Sequence, residues 1–144
     1  MKSSPITNRH DYNYCVTCWL ADLPAGEWVD IFPGNSGVDA AKRITRGVIV
    51  EHASIVLITA FNAGTESFAQ LRHSAGAMAT ITELDVMSAT PAVDGFSYGR
   101  IDRIIDGDTE KLQLQRTESG SAATTGKLCV FLKLIDLNPL VKTV

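Results

Sequence analysis

Hydrophobic and polar residues along this chain fall mostly into short runs that alternate with a period of two, the spacing of a strand with one face buried. Residues 14–20 (YCVTCWL) open the series, rich in aromatic and β-branched types that favour strands. Residues 27–32 (EWVDIF) predict a second, short strand. Residues 47–51 (GVIVE) and 54–61 (SIVLITAF) predict two more. The second of these is almost continuously apolar and is closed by Asn62-Ala63-Gly64, which favours a buried strand over a helix. Residues 68–73 alternate imperfectly. Residues 78–87 place Met78, Thr80, Thr82, Leu84 and Val86 on one parity; a helix is the alternative there, but the Thr, Ile and Val content favours a strand.

The last third repeats the pattern. Residues 96–105 (FSYGRIDRII) predict a strand with Gly99 as a bulge position, and Asp106-Gly107 reads as a hairpin turn. Residues 110–116 alternate cleanly, with Leu112 and Leu114 on one face and Gln113 and Gln115 on the other. A small-residue loop at 117–126 leads into residues 127–135 (KLCVFLKLI), apolar on both parities: Leu128, Val130, Leu132 and Leu134 on one, Cys129, Phe131 and Ile135 on the other. Such a strand needs cover from an opposing sheet and from something more, such as another subunit. Breakers punctuate the runs, with Pro33-Gly34-Asn35-Ser36-Gly37 the strongest, and residues 38–43 allow one helical turn at most. The expectation is an all-β fold, a jelly-roll β-sandwich of about 8–10 strands over residues 13–144. A polar arm precedes it at 1–12.

The length of 144 residues suits one domain. Only 20% of residues are charged, so less of the surface has charges to cover it and a neighbouring subunit becomes a natural cover. The net charge of −3 and a densest basic stretch no richer than Lys42-Arg43-Ile44-Thr45-Arg46 argue against nucleic acid and anionic membrane as partners. The first residues lack the apolar stretch of a signal peptide, so synthesis in the cytoplasm without classical export is expected. An odd cysteine count argues against a disulfide framework.

Candidate chemistry is thin. Cys15-Val16-Thr17-Cys18 is a C-x-x-C without a second pair. Inside a strand its two thiols point to opposite faces, so small structural thiols are expected and not a metal site. The carboxylates Asp102, Asp106, Asp108 and Glu110 lack the EF-hand spacing and read as a solvated turn. His10, His52 and His73 are dispersed, the latter two near strand ends, with no nucleophile or cupin-like cluster beside them. No catalytic residue, metal ligand or cofactor is therefore expected, and the chain reads as no enzyme. Trp19 is expected to fill the core. Trp28, beside the Pro33-Gly34 loop, is the better interface residue, with Phe32.

Residues 96–135 carry a resemblance. Gly107-Asp108, Leu112 and Leu114, then Gly126 and the apolar strand through Leu134, resemble the end of the trimeric jelly rolls of the tumour-necrosis-factor and complement globular-head type. The inner-strand run Val56-Leu57-Ile58-Thr59-Ala60-Phe61 is similar too. The resemblance implies a homotrimer with apolar and aromatic side chains near the three-fold axis. That assigns Trp28, Phe32, Leu128, Val130, Phe131, Leu132 and Leu134 to the subunit interface. Similar domains serve as decoration (cement) proteins on phage heads and as heads of tail fibres. With no fibre shaft ahead of the domain, the resemblance implies a virion protein that binds the major capsid protein of an assembled head. A receptor- or carbohydrate-binding module is the alternative.

Overall fold

The computed structural model describes residues 2–5, 12, 14–31, 48–73, 80–105 and 112–136. They form nine strands: β1 (Lys2–Pro5), β2 (Tyr14–Trp19), β3 (Trp28–Asp30), β4 (Val48–Thr59), β5 (Glu66–His73), β6 (Thr80–Asp85), β7 (Phe96–Ile105), β8 (Leu112–Ser119) and β9 (Lys127–Asp136). One 3-10 turn (Leu20–Asp22) follows β2. Among the described residues there is no α-helix, and residues 80–85 form a strand, which excludes the helical alternative there.

Two antiparallel sheets stack face to face. One has the order β1-β2-β9-β4-β7, the other β3-β8-β5-β6. The pairs β2 with β9, β3 with β8, β4 with β7 and β5 with β6 are nested, as if one long hairpin were rolled up on itself. That is the jelly roll. The connections β1–β2 and β5–β6 stay within their sheets, whereas β2–β3, β3–β4, β4–β5, β6–β7, β7–β8 and β8–β9 all cross between sheets.

Alternation explains which residues meet between the sheets. Val16 and Cys18 of β2, Ala53, Ile55 and Leu57 of β4, Ala69 and Leu71 of β5, Leu112 and Leu114 of β8, and Leu128, Val130 and Leu132 of β9 are all buried there. Each fully buried Val, Leu or Ile contributes about 1.5–3 kcal/mol of transfer free energy, so this layer is the main favourable term of folding.

Four expectations need correction. Where residues 47–51 and 54–61 predict two strands, residues 48–59 form one, β4. Its register against β9 slips between Val50 and His52, where Glu51 is the extra residue of a bulge. The bulge restores parity, so that Val50 before it and Ala53, Ile55 and Leu57 after it all face the core. His52 consequently lies inside a strand and not near an end. Gly99 is not a bulge: it pairs regularly with Ala53. A Cβ on Gly99 would lie 2.4 Å from the carbonyl oxygen of Ile81, so the residue is glycine because β6 of the other sheet presses against it. Finally, Asp106-Gly107 does not close a hairpin, because β7 pairs with β4 while β8 pairs with β5 and β3; the turn itself lies outside the described residues.

The loops at one end are pinned by side chains. Asn62 Oδ1 accepts from the backbone N–H of Thr124 at 2.8 Å and of Thr125 at 2.9 Å, and its amide donates to the Thr124 hydroxyl. The Gly64 N–H donates to the Ser121 carbonyl at 2.8 Å. The small-residue loop is therefore ordered, and β8 runs on to Ser119 before it starts. Arg116 is buried under this end, paired with Glu118 and donating to the Leu23 carbonyl at 3.1 Å. A buried guanidinium is tolerated only with such partners.

Candidate interaction surface

The outward positions of the five-stranded sheet build one surface in rows set by the ladders. One row runs Thr17, Cys129, Val56, Phe96. The next runs Cys15, Phe131, Ser54, Tyr98, and beyond it stand Lys133, His52 and Arg100. Phe96 is 62% exposed and Tyr98 56%. Ile58 and Ile135 are exposed on the same face. Isolated exposed apolar residues are ordinary, but a contiguous set on one sheet face marks a contact surface.

Ring contacts tie the rows together. Tyr12 meets His52 edge-on at 5.0 Å between centroids and Phe131 at 6.0 Å. His52 lies 5.6 Å from Tyr98. The aromatic run Phe131, Tyr12, His52, Tyr98 thus crosses the middle of the sheet. Below it Ser54 is buried and donates to the Ser97 carbonyl, so that this small polar position adds no free hydroxyl to the face.

The sequence-predicted interface residues separate cleanly in the structure. Leu128, Val130 and Leu132 are fully buried between the sheets, so their apolar surface is already covered within the chain. Leu134 is half-buried and packs against the same core. Phe131 alone of the β9 set faces outward onto the aromatic run. Trp28 lies on the outer face of the other sheet, under the Arg72 guanidinium at 3.9 Å. Phe32 lies outside the described residues. Trp19 is not in the core. Tyr14, Val16 and Cys18 take the inward parity of β2, which leaves Trp19 half-buried outside, with the Lys127 ammonium 5.3 Å from its ring.

Phe96, Tyr98 and Ile58 escaped sequence reasoning. A signal existed in residues 96–100: the bulky Phe96 and Tyr98 share a parity, and the small Ser97 and Gly99 share the other. A strand that alternates large with small has its large residues outward only when a neighbouring backbone crowds the inner face. Ile81 does so here.

The outer face of the four-stranded sheet is different in kind. Arg72 donates to Gln113 Oε1 from Nε at 2.9 Å and from an η nitrogen at 2.8 Å, and the Gln113 amide donates to Asp30 at 2.8 Å. The Gln70 amide donates to Glu83, and that of Gln115 to the Gly26 carbonyl. These polar groups satisfy one another around Trp28.

The cysteines are all free thiols. Cys18 is inward and its burial pushes the thiol up to about 12. Cys15 lies on the other face, diagonally across the β2–β9 ladder from Cys129, whose sulfur is 3.4 Å from the Thr17 hydroxyl. No group of three or more His, Cys, Asp or Glu side chains suited to a metal occurs among the described residues. The chain matches no family model and no curated protein.

Proposed function

We propose that this chain is a structural virion protein, a capsid decoration (cement) protein that acts as a homotrimer through the outer face of its five-stranded sheet. The observation that carries the reading is the exposed aromatic and apolar surface centred on Phe96, Tyr98, Phe131 and Ile58. A sandwich needs one apolar face per sheet for its own core. A second one on the same sheet has no role in that core, and a heterologous contact between copies closes into a ring when its rotation closes. The resemblance of residues 96–135 to trimeric jelly rolls supports three-fold closure, and the step from there to a phage head rests on analogy of fold. The role is structural and not enzymatic, with the major capsid protein as the second partner.

Light scattering of the purified chain tests the first half: a particle of three times 15.5 kDa is expected, and a monomer overturns it. Sedimentation with assembled shells and with free capsid subunits tests the second. Binding to shells alone is expected; equal binding to both sinks the cement role.

A second reading is favoured by the other sheet. Planar amides, a guanidinium and an indole set side by side match the hydroxyl and ring-face chemistry of sugars. In a receptor- or carbohydrate-binding module, glycan binding would be lost in Trp28→Ala; a blank glycan array removes that reading.

A further inference from the structure

Five large apolar residues are exposed among the described residues. Ile58, Phe96, Tyr98 and Ile135 belong to the outer face of the five-stranded sheet. Val93 does not. It stands 72% exposed, more than any of them, on the loop of residues 86–95 between β6 and β7. A ring of identical copies needs two different patches, one that receives and one that enters. We infer that the Val93 loop of one copy docks on the aromatic face of the next and so supplies the second patch. This docking presupposes the proposed subunit contact and names what that contact receives.

The loop is braced from within, so that its tip is held out. Asp85 Oδ1 accepts from the N–H groups of Met87 at 3.0 Å and Ser88 at 2.8 Å, which fixes the exit from β6. The Thr90 carbonyl accepts from the N–H groups of Val93, Asp94 and Gly95, and Asp94 Oδ1 accepts from the Thr90 N–H at 2.6 Å. The Gly95 carbonyl accepts from the Leu57 N–H at 2.6 Å, which ties the far end of the loop to β4 beside Ile58. Ala92, next to Val93, has a φ of 63°, the one non-glycine among the described residues in the left-handed region. A side chain makes that conformation costly, and it persists only where the surroundings fix it. A tip fixed before contact loses little freedom when it docks.

Charge and position favour the aromatic face as the place where it docks. The loop carries Asp94 beside Val93 and Asp85 at its base, and no cation. The face is rimmed by cations: Lys133 and Arg100 flank His52 in register, and the Lys127 ammonium lies over Trp19, with Glu51 in the bulge as a counter-charge. An apolar tip beside a carboxylate thus meets rings beside cations, a complementary pair. The outer face of the other sheet offers no such match, since its amides and charges already bind one another and include Asp30 and Glu83. The loop and the face also adjoin, because Gly95 leads directly into Phe96. Adjoining patches make each copy a wedge whose two contacts lie near one axis, the geometry of a small closed ring and not of an open filament.

The test replaces Val93 with the photoreactive residue p-benzoylphenylalanine, irradiates a refolded mixture of isotope-labelled and unlabelled chains, and maps the linked peptides by mass. Products of two and three chain masses are expected on a denaturing gel, with mixed-label links on residues 96–100 or 127–135. Val93→Lys sets a cation against the cation-rimmed face. It should lower the light-scattering mass from three chains to one and still unfold in one cooperative transition, because Val93 lies outside the core. Val93→Ile should keep three chains. Links confined to a single chain, mixed-label links that fall elsewhere, or a Val93→Lys chain that remains a trimer overturn the docking and leave the subunit contact standing. A parent chain that is already a monomer overturns both.

Discussion

The two sheets are alike inside and unlike outside. Both inner faces are buried and largely aliphatic, but the outer face of β3-β8-β5-β6 is a lattice of amides and charges, whereas that of β1-β2-β9-β4-β7 carries Val56, Ile58, Phe96, Tyr98 and Phe131. On the four-stranded side polar side chains find partners in the next strand, as Arg72, Gln113 and Asp30 show. That face is complete in water. On the five-stranded side the aromatic rings meet one another and then stop at the surface. Cross-strand pairing stabilises both, but only the first leaves the sheet with a solvated exterior.

The sharpest way to break this contrast uses two adjacent residues of β4. Leu57 is 1% exposed in the core, and Ile58 is 43% exposed on the outer face. Leu57→Asp removes a buried side chain and places an unpaired carboxylate between the sheets, costs that together exceed about 5 kcal/mol and rival the stability of a domain this size. No cooperative melting transition is expected. Ile58→Asp should fold with a melting temperature close to that of the parent. If both variants fold, β4 is misplaced; if neither does, the outer face contributes to the fold of the single chain.

Next in size is the effect on self-association. Phe96→Asp with Tyr98→Asp places two carboxylates at the centre of the proposed contact, where like charges from each copy converge. Light scattering should then give one chain mass. Gln70→Glu with Gln115→Glu adds as much negative charge to the other sheet and should leave the mass unchanged. Equal responses would mean that net charge, and not the aromatic face, governs assembly.

A smaller effect tests where the sheets touch. Gly99→Ala sets a Cβ against the Ile81 backbone, which side-chain motion does not relieve. A loss of about 1–3 kcal/mol in denaturant unfolding is expected, as for other overpacked sites. Should the variant be neutral, β6 and β7 do not close this edge.

How much of the fold is legible in the sequence follows from where parity can be read. Residues 112–115 alternate Leu with Gln, and that alternation alone identifies the buried face. In residues 127–135 both parities are apolar, and nothing local says that Leu128, Val130 and Leu132 face inward while Phe131 faces out; the ladder to β2 and β4 decides it. Trp19 is illegible for the same reason, since three inward neighbours two residues apart set its side. The β4 bulge defeats strict alternation, because Val50 and Ala53 share a face although their spacing is odd. Cys15 and Cys129, more than a hundred positions apart, share the outer face only through the β2–β9 ladder. Local patterns specify the strands; the ladders select the outer surface.

The smallest expected effect belongs to the four-stranded face. Arg72 holds Gln113 with two donors and lies over Trp28, with Asp30 at the far end of the same chain of contacts. Arg72→Lys keeps the charge but loses the planar fork and most of the stacking. A surface cation–π contact and a partly exposed hydrogen bond are each worth about 0.5–1 kcal/mol, so the loss on urea unfolding should be about 1 kcal/mol. The chain mass should not change, because this face is already satisfied by its own side chains. A drop in mass with Arg72→Lys would reverse the assignment of the two faces, making the polar lattice the subunit contact and leaving the aromatic face for another partner.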